Sequence, residues 1–326
     1  MPKSANQKLR VLYLMRLLLT ETDETHMITM DDILLRLAEQ GVNAERKAIY
    51  DDFEALRTYG LDIIKGKSKS YAYYVASRDF ELPELKLLAD AVQSSKFITQ
   101  RKSLALIKKL EKLASRHEAG NLRRQIHVQN RVKSMNESIY YNIDSLHEAI
   151  TEGKKISFYY FDYNVKKEQI LRRDGKLYIA SPAALTWSEE NYYLLAYFEG
   201  KEGVTHLRVD KMTKVTLLEE RSEPRVKDFR LTDYTKKVFG MYGGEEADVR
   251  LRVDNYLIHP FLDRFGKDLI MIPDGDSHFT TTFRATLSPV FYGWLFQFGE
   301  MCDVISPQIL KDELKSRADS FSARLG

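Results

Sequence analysis

The sequence predicts an α+β protein of several domains, and three observations carry that reading. At 326 residues the chain exceeds one ordinary domain and points to two or three. Apolar residues recur three times at helical spacing before a short hairpin pattern, whereas residues 155–218 are runs of aromatic and β-branched residues between turns. Beyond Pro224 helical and strand patterns are mixed.

Composition narrows the class. With 44% hydrophobic residues, 30% charged residues and 8 prolines, wholesale disorder is excluded. The single cysteine, Cys302, excludes a disulfide framework or a cysteine-based zinc site and fits a reducing cytosol, so a cytoplasmic protein is expected. The apolar run Val11 to Leu19 is short and interrupted by Arg16, as in a core helix rather than a signal peptide or membrane span. A net charge of +3 says little by itself. Residues 1–75 carry 11 basic and 11 acidic side chains, while residues 76–134 carry 13 and 6, a surplus of +7. A solvated helix face explains such a surplus more often than a binding surface does.

Lys8 to Thr20 reads as the first helix. Thr29 is placed to cap a second, with Asp31 and Asp32 at its positive end and Ile33, Leu34, Leu37 and Ala38 on the buried face, ending at Gly41. A tight turn with Asn43 as cap leads to a third helix that buries Ala48, Ile49, Phe53 and Leu56 and stops at Gly60. Ile63-Ile64, a polar tip from Lys65 to Ser70, and Tyr71 to Val75 read as a hairpin. Three helices with a glycine turn between the second and third, then a hairpin, is the winged helix-turn-helix layout. Leu82 to Met135 is helical in pattern, a connector. A helix from Ser145 to Glu152 precedes strands at 155–161, 178–180, 192–198, 206–209 and 215–218, spaced as in a small barrel-like β-domain. The C-terminal part places a strand at Val249–Val253, a helix at Leu257–Arg264, a hairpin from Leu269–Ile272 and Phe279–Ala285, and helices at Val290–Phe298 and Gln308–Leu325.

Two catalytic motifs fail. Gly66-Lys67-Ser68 resembles the end of a phosphate-binding loop, but Leu61 stands where the partner glycine belongs. His147-Glu148 begins like a zinc-protease helix, but Thr151 replaces the second histidine. No dinucleotide fingerprint or nucleophile elbow appears, so neither an enzyme nor a metal or cofactor is expected. The third helix with its hairpin is the constellation that holds together. Double-stranded DNA is its expected partner. A recognition helix enters the major groove by its N-terminal half, where Asn43, Arg46, Lys47 and Tyr50 are the candidate contacts, with Glu45 beside them. Lys65, Lys67 and Lys69 alternate along the wing and suit phosphate contact. Asp51 and Asp52 repel phosphate and should lie away from it.

Residues 178–212 resemble the core of the WYL-domain transcriptional regulators. Tyr192-Tyr193-Leu194 stands for the Trp-Tyr-Leu signature, and His206-Leu207-Arg208-Val209-Asp210-Lys211 for the later basic motif, with Lys211 replacing an arginine. Residues 46–60 are similar to that family's recognition helix, with Asp51 in place of an arginine; Ser94 to Ile98 in the connector and Asp303-Val304-Ile305-Ser306-Pro307 near the end also match. The resemblance implies a winged helix-turn-helix domain over 1–76, a connector over 77–138, a Sm-like β-barrel WYL domain over 139–222, and an α/β C-terminal extension over 223–326. It further implies a homodimer and a ligand pocket controlling DNA binding, formed here by Tyr160, Tyr192, His206, Arg208 and Lys211 and receiving an anionic ligand such as a nucleotide or single-stranded nucleic acid. Tyrosine rings stack on bases, and a guanidinium holds phosphate bidentately. Two plainer assignments stand beside it: Tyr160 and Tyr192 as barrel core, and Arg208 paired with a carboxylate such as Asp210 or Glu189.

Overall fold

The computed structural model describes residues 5–66, 71–125, 133, 136 and 138–325. The chain divides into two compact units, Met1–Met135 and Asn136–Gly326.

The first unit begins with α1 (Ala5–Glu21), β1 (Ile28–Thr29), α2 (Met30–Glu39), α3 (Arg46–Tyr59), β2 (Ile63–Gly66) and β3 (Ala72–Val75). Its three strands form an antiparallel sheet in the order β1-β3-β2. Leu14 and Leu18 of α1, Ile33 and Leu37 of α2, and Ile49 and Phe53 of α3 meet in one core with Ile63, Tyr73 and Val75 of the hairpin. The 3.6-residue period puts those positions on one face of each helix, and burying them stabilises the unit by roughly 1.5–3 kcal/mol per large side chain. Thr29 caps α2 as its position suggests, its hydroxyl accepting from the Asp32 amide. Asn43 does not cap α3: the helix starts at Arg46 after an extended Glu45 that makes no side-chain cap bond. Asn43 instead stands exposed in the turn, two residues before the N-cap position, where an asparagine serves the turn itself. Gly60 ends α3 at φ +113°, a conformation costly for a side chain with a Cβ.

Three more helices follow among the described residues: α4 (Leu82–Ser94), α5 (Gln100–Leu110) and α6 (Arg116–Gln125). The Asp23 carboxylate joins them to the first three. It accepts from the Thr25 amide and hydroxyl at 3.0 and 2.8 Å, from the His26 amide and Nδ1 at 2.8 Å each, and from the Ser115 hydroxyl at 2.6 Å. His26 also stacks on His117 of α6 with ring centres 3.8 Å apart, and Arg78 donates to the Thr22 carbonyl at 2.6 Å.

The second unit opens with α7 (Ile139–Glu152), which starts six residues before the helix read at Ser145. It packs on β4 (Lys154–Tyr163), β5 (Gln169–Leu171), β6 (Tyr178–Ser188), β7 (Asn191–Tyr197), β8 (Thr205–Arg208) and β9 (Met212–Arg221). The strands pair antiparallel along β5-β4-β6-β7-β8, with β9 on the other edge of β4. The sheet curls into a half-barrel rather than closing: no β8–β9 pairing occurs among the described residues.

A short helix α8 (Leu231–Lys237), not anticipated from the sequence, precedes a second sheet. There β10 (Glu245–Asp254), α9 (Ile258–Phe265), β11 (Met271–Asp274), β12 (His278–Leu287), α10 (Pro289–Phe296) and β13 (Cys302–Ser306) follow one another, and α11 (Gln308–Leu325) ends the chain. The order β11-β12-β10-β13, antiparallel throughout, is a split β-α-β arrangement. Phe261, Phe279, Phe283, Phe291 and Phe298 fill the space between this sheet and its helices. No described helix is long and apolar enough to cross a membrane.

Burial pushes the Asp23 carboxyl up, but the bonds from Ser115, His26 and Thr25 more than offset this and hold it well below the usual carboxylate range. A carboxyl depressed in the fold contributes stability that is fully present above its unfolded pKa, about 3.9, and lost as pH falls below it. Asp23→Asn is expected to cost about 1–3 kcal/mol at pH 7 and to flatten acid sensitivity below pH ~4, read by circular dichroism melts.

Candidate nucleic-acid interface and ligand cleft

In the first unit, α2 and α3 are separated by a six-residue turn, and the first turn of α3 stands in solvent. Asn43, Arg46, Lys47 and Tyr50 are all exposed, while Ile49 and Phe53 on the opposite face are buried. Arg46 pairs with Asp31 of α2, both side chains largely exposed, so the pair is worth about 1 kcal/mol or less and yields readily to a better anion. Asp52 turns inward to a bidentate pair with Arg10 of α1, at 2.5 and 3.0 Å. Asp51 stays exposed, one turn beyond Arg46 and Lys47.

The helix is tied to the hairpin in two places. The Tyr73 hydroxyl of β3 donates to the Tyr50 hydroxyl at 3.3 Å, and Arg57 donates to the Ile63 carbonyl of β2 at 2.9 and 3.1 Å. Burial pushes the Tyr73 phenol up to about 12, so it remains a donor at any relevant pH. Lys65 is exposed on β2 with its ammonium 3.4 Å from the centre of the Tyr71 ring. Tyr71 was not singled out from the sequence, because its role follows from facing Lys65 across the hairpin. Lys67 and Lys69 lie outside the described residues.

In the second unit, β7 and β8 decide which of the five expected pocket residues meet. Tyr193 lies opposite Arg208 and Leu195 opposite His206, so those four side chains share one face. Tyr192 points to the other face, with Trp187, its partner across the β6–β7 hairpin, at 5.1 Å between ring centres. Tyr193 rather than Tyr192 therefore accompanies Arg208. That face is also largely covered: His206 Nε2 is 2.8 Å from the Tyr234 hydroxyl, and Leu195 packs against Val238 and Met241.

Arg208 holds Asp210 bidentately at 2.8 and 3.0 Å, one of the two carboxylates named from the sequence. Tyr160 is 6% exposed, and its hydroxyl accepts the Arg208 amide at 3.1 Å. Desolvation drives its phenol up to about 12. Lys211 reaches Asp162 at 2.7 Å, Arg172 grips the same carboxylate, and the Arg172 guanidinium lies 5.0 Å from the centre of the Tyr160 ring. Tyr160, Arg208 and Lys211 are thus brought together with Asp210, a carboxylate named from the sequence, and with Arg172 and Asp162, which short-range reading missed. Arg172 sits in a loop with no strand period to place it.

The opposite face of β8, buried at Leu207, borders a cleft. Thr205 and Leu207 line a cleft of about 740 Å³ with Arg172, Arg173, Lys176 and Tyr178. Lys176 forms no ion pair among the described residues, and the Arg173 guanidinium lies 6.0 Å from the centre of the Tyr178 ring. Arg173 and Asp174 hold φ of 51° and 53°, in the left-handed region where a non-glycine residue is strained.

Two stretches of the second unit match known families: residues 141–217 match the WYL domain and residues 245–321 the WCX domain. The chain therefore carries a WYL domain over the curled sheet, followed by a WCX domain over the phenylalanine-rich one. Among solved structures it is similar to proteasome accessory factor B/C (PafBC) of Arthrobacter aurescens, with 17% identity, 97% of this chain and 48% of that chain covered, and a TM-score of 0.29. The chain thus spans about half the length of that protein. No curated protein matches it.

Burial pushes the His206 imidazole below its ordinary value, against a smaller opposite effect of the Met241 backbone. A histidine depressed in the fold stabilises it above the unfolded pKa, about 6.5, and that stability declines as pH falls through this value. Chemical denaturation at pH 7 and pH 5 should show the second unit weakening in acid, and His206→Gln should reduce the difference.

Proposed function

We propose that this protein is a DNA-binding transcriptional regulator in which the first six elements act as a winged helix-turn-helix and the WYL domain senses an anionic ligand. The observation that carries the reading is the solvent-facing first turn of α3, with Arg46 and Lys47, fastened to the hairpin through Tyr50 and Tyr73 and encoded in one chain with a WYL domain. In this reading Arg46 exchanges Asp31 for a guanine edge or phosphate, Lys47 and Asn43 flank it, Tyr50 packs against phosphate or a thymine methyl, and Lys65, Lys67 and Lys69 meet the backbone from the wing. A single such module buries little surface on DNA, so the protein acts as a homodimer on two half-sites, checked by light scattering. No catalysis is assigned to it.

The ligand is a nucleotide-like anion, received in the 740 Å³ cleft. Arg173 and Lys176 supply charge, Tyr178 a stacking face, and Arg172 links the cleft to Tyr160, Asp162 and Lys211. Arg208 contributes less directly, because Asp210 already occupies its guanidinium.

Gel shifts on the DNA upstream of its own gene test the first part. Arg46→Ala should weaken specific binding by about 1–3 kcal/mol, whereas Lys65→Ala should weaken binding to all sequences and lower the salt slope by about one. Two variants that bind like wild type would remove the DNA-reading assignment. Calorimetry with a 5′-phosphorylated dinucleotide tests the second part: the pair Arg173→Ala and Lys176→Ala should lose about tenfold or more in affinity while gel shifts without the dinucleotide stay unchanged.

A further inference from the structure

A second cavity, of about 450 Å³, lies within the second unit between the β6–β7 hairpin and the WCX domain. Trp187, Glu189, Phe239, Arg264, Val290 and Trp294 are among the residues lining it. Arg264 comes from α9. Its Nη2 donates to the Val238 carbonyl at 2.7 Å, and its guanidinium lies 4.0 Å from the centre of the Phe239 ring. Its Nε is buried without a hydrogen-bond partner among the described residues. Glu189 lines the same cavity without pairing to it, at the tip of the hairpin where both Glu189 and Glu190 have positive φ, 47° and 63°. Gly240 leaves room for that carboxylate: a Cβ there would stand 2.9 Å from Glu189 Oε1.

A guanidinium taken out of water needs an anion and a full set of acceptors, and here one donor is orphaned. Burial accordingly pushes the Arg264 guanidinium below its ordinary range, with Glu189 acting more weakly in the other direction. Phe239 and Trp294 bring aromatic rings into walls otherwise made of small polar and aliphatic residues, which suits a small planar body. One arginine beside one uncommitted glutamate favours a single negative charge over a doubly charged phosphate. We propose that this cavity is a binding site for a small aromatic carboxylate, its carboxylate on Arg264 and its ring beside Trp294. Being on the WYL–WCX boundary, such a ligand joins the two domains independently of any nucleic acid.

Both tryptophans of the sequence line this cavity, so their emission reports on it directly. The full-length chain is titrated with benzoate and, separately, with the neutral benzamide, at up to about 10 mM. Saturable change in tryptophan emission with benzoate, and affinity for benzamide at least about tenfold weaker, is the expected result. Arg264→Gln should weaken benzoate binding by about tenfold or more, while Glu189→Gln, which leaves the guanidinium in place, should strengthen it. If Arg264→Gln does not fold, Glu189→Gln alone decides, and unchanged or weaker benzoate binding there overturns the proposal. So does a wild-type chain that shows no saturable response or that responds equally to benzamide.

Discussion

The WYL sheet is governed by a very short connection between its two outermost strands. β8 lies at one edge of the path β9-β4-β6-β7-β8 and β9 at the other, yet only Val209, Asp210 and Lys211 join them. Laid flat, four strand spacings separate those edges by about 19 Å, whereas the chain from Arg208 to Met212 reaches at most about 14 Å. The sheet therefore has to curl. The polar groups of the joint are secured accordingly: Tyr160 takes the Arg208 amide, Asn142 donates to the Met212 carbonyl at 2.9 Å, and Asn136 donates to the Asp210 carbonyl at 2.9 Å. Val209, fully buried, plugs the inside of the bend.

This bend organises the surrounding chemistry. It places Arg208, Asp210, Lys211, Asp162 and Arg172 in one patch of alternating charge, in which each cation has a carboxylate. It also separates the two faces of β8. One is covered by Tyr234 and the segment at Val238 and Met241, and the other borders the cleft that Tyr178 and Lys176 also line. The motif that makes this domain recognisable in sequence thus lies mainly where the fold is fastened. The freer cations stand one strand face away.

How much of this was legible in the sequence depended on the range of the interaction. Thr29 before Asp31 and Asp32 marks a helix start by local chemistry, and the Ile49–Phe53 spacing marks its buried face, because both signals lie within one or two turns. Alternation along β8 likewise put His206 and Arg208 on one face. It did not say which face Tyr192 takes, since that depends on the register between β7 and β8. Nor does a local pattern show that the strands stop short of closure, which the pairing of distant segments decides. Arg264 was passed over for the same reason: its surroundings come from residues near 189, 239 and 294, which only the fold assembles. The α3 start was misplaced by two residues because an asparagine is favoured both in turns and at helix caps, and Asn43 lies in the turn.

The distribution of indole rings has a consequence for how this molecule is seen in solution. Trp187 and Trp294 both belong to the second unit, and Met1–Met135 has none. Indole emission is therefore silent about the described helices of the first unit, whose amides contribute a large share of a far-ultraviolet signal. Two spectroscopic probes of one unfolding experiment watch different parts of the chain. Coincident midpoints would mean that the two units lose structure as one cooperative body, whereas separated midpoints would give each unit its own stability.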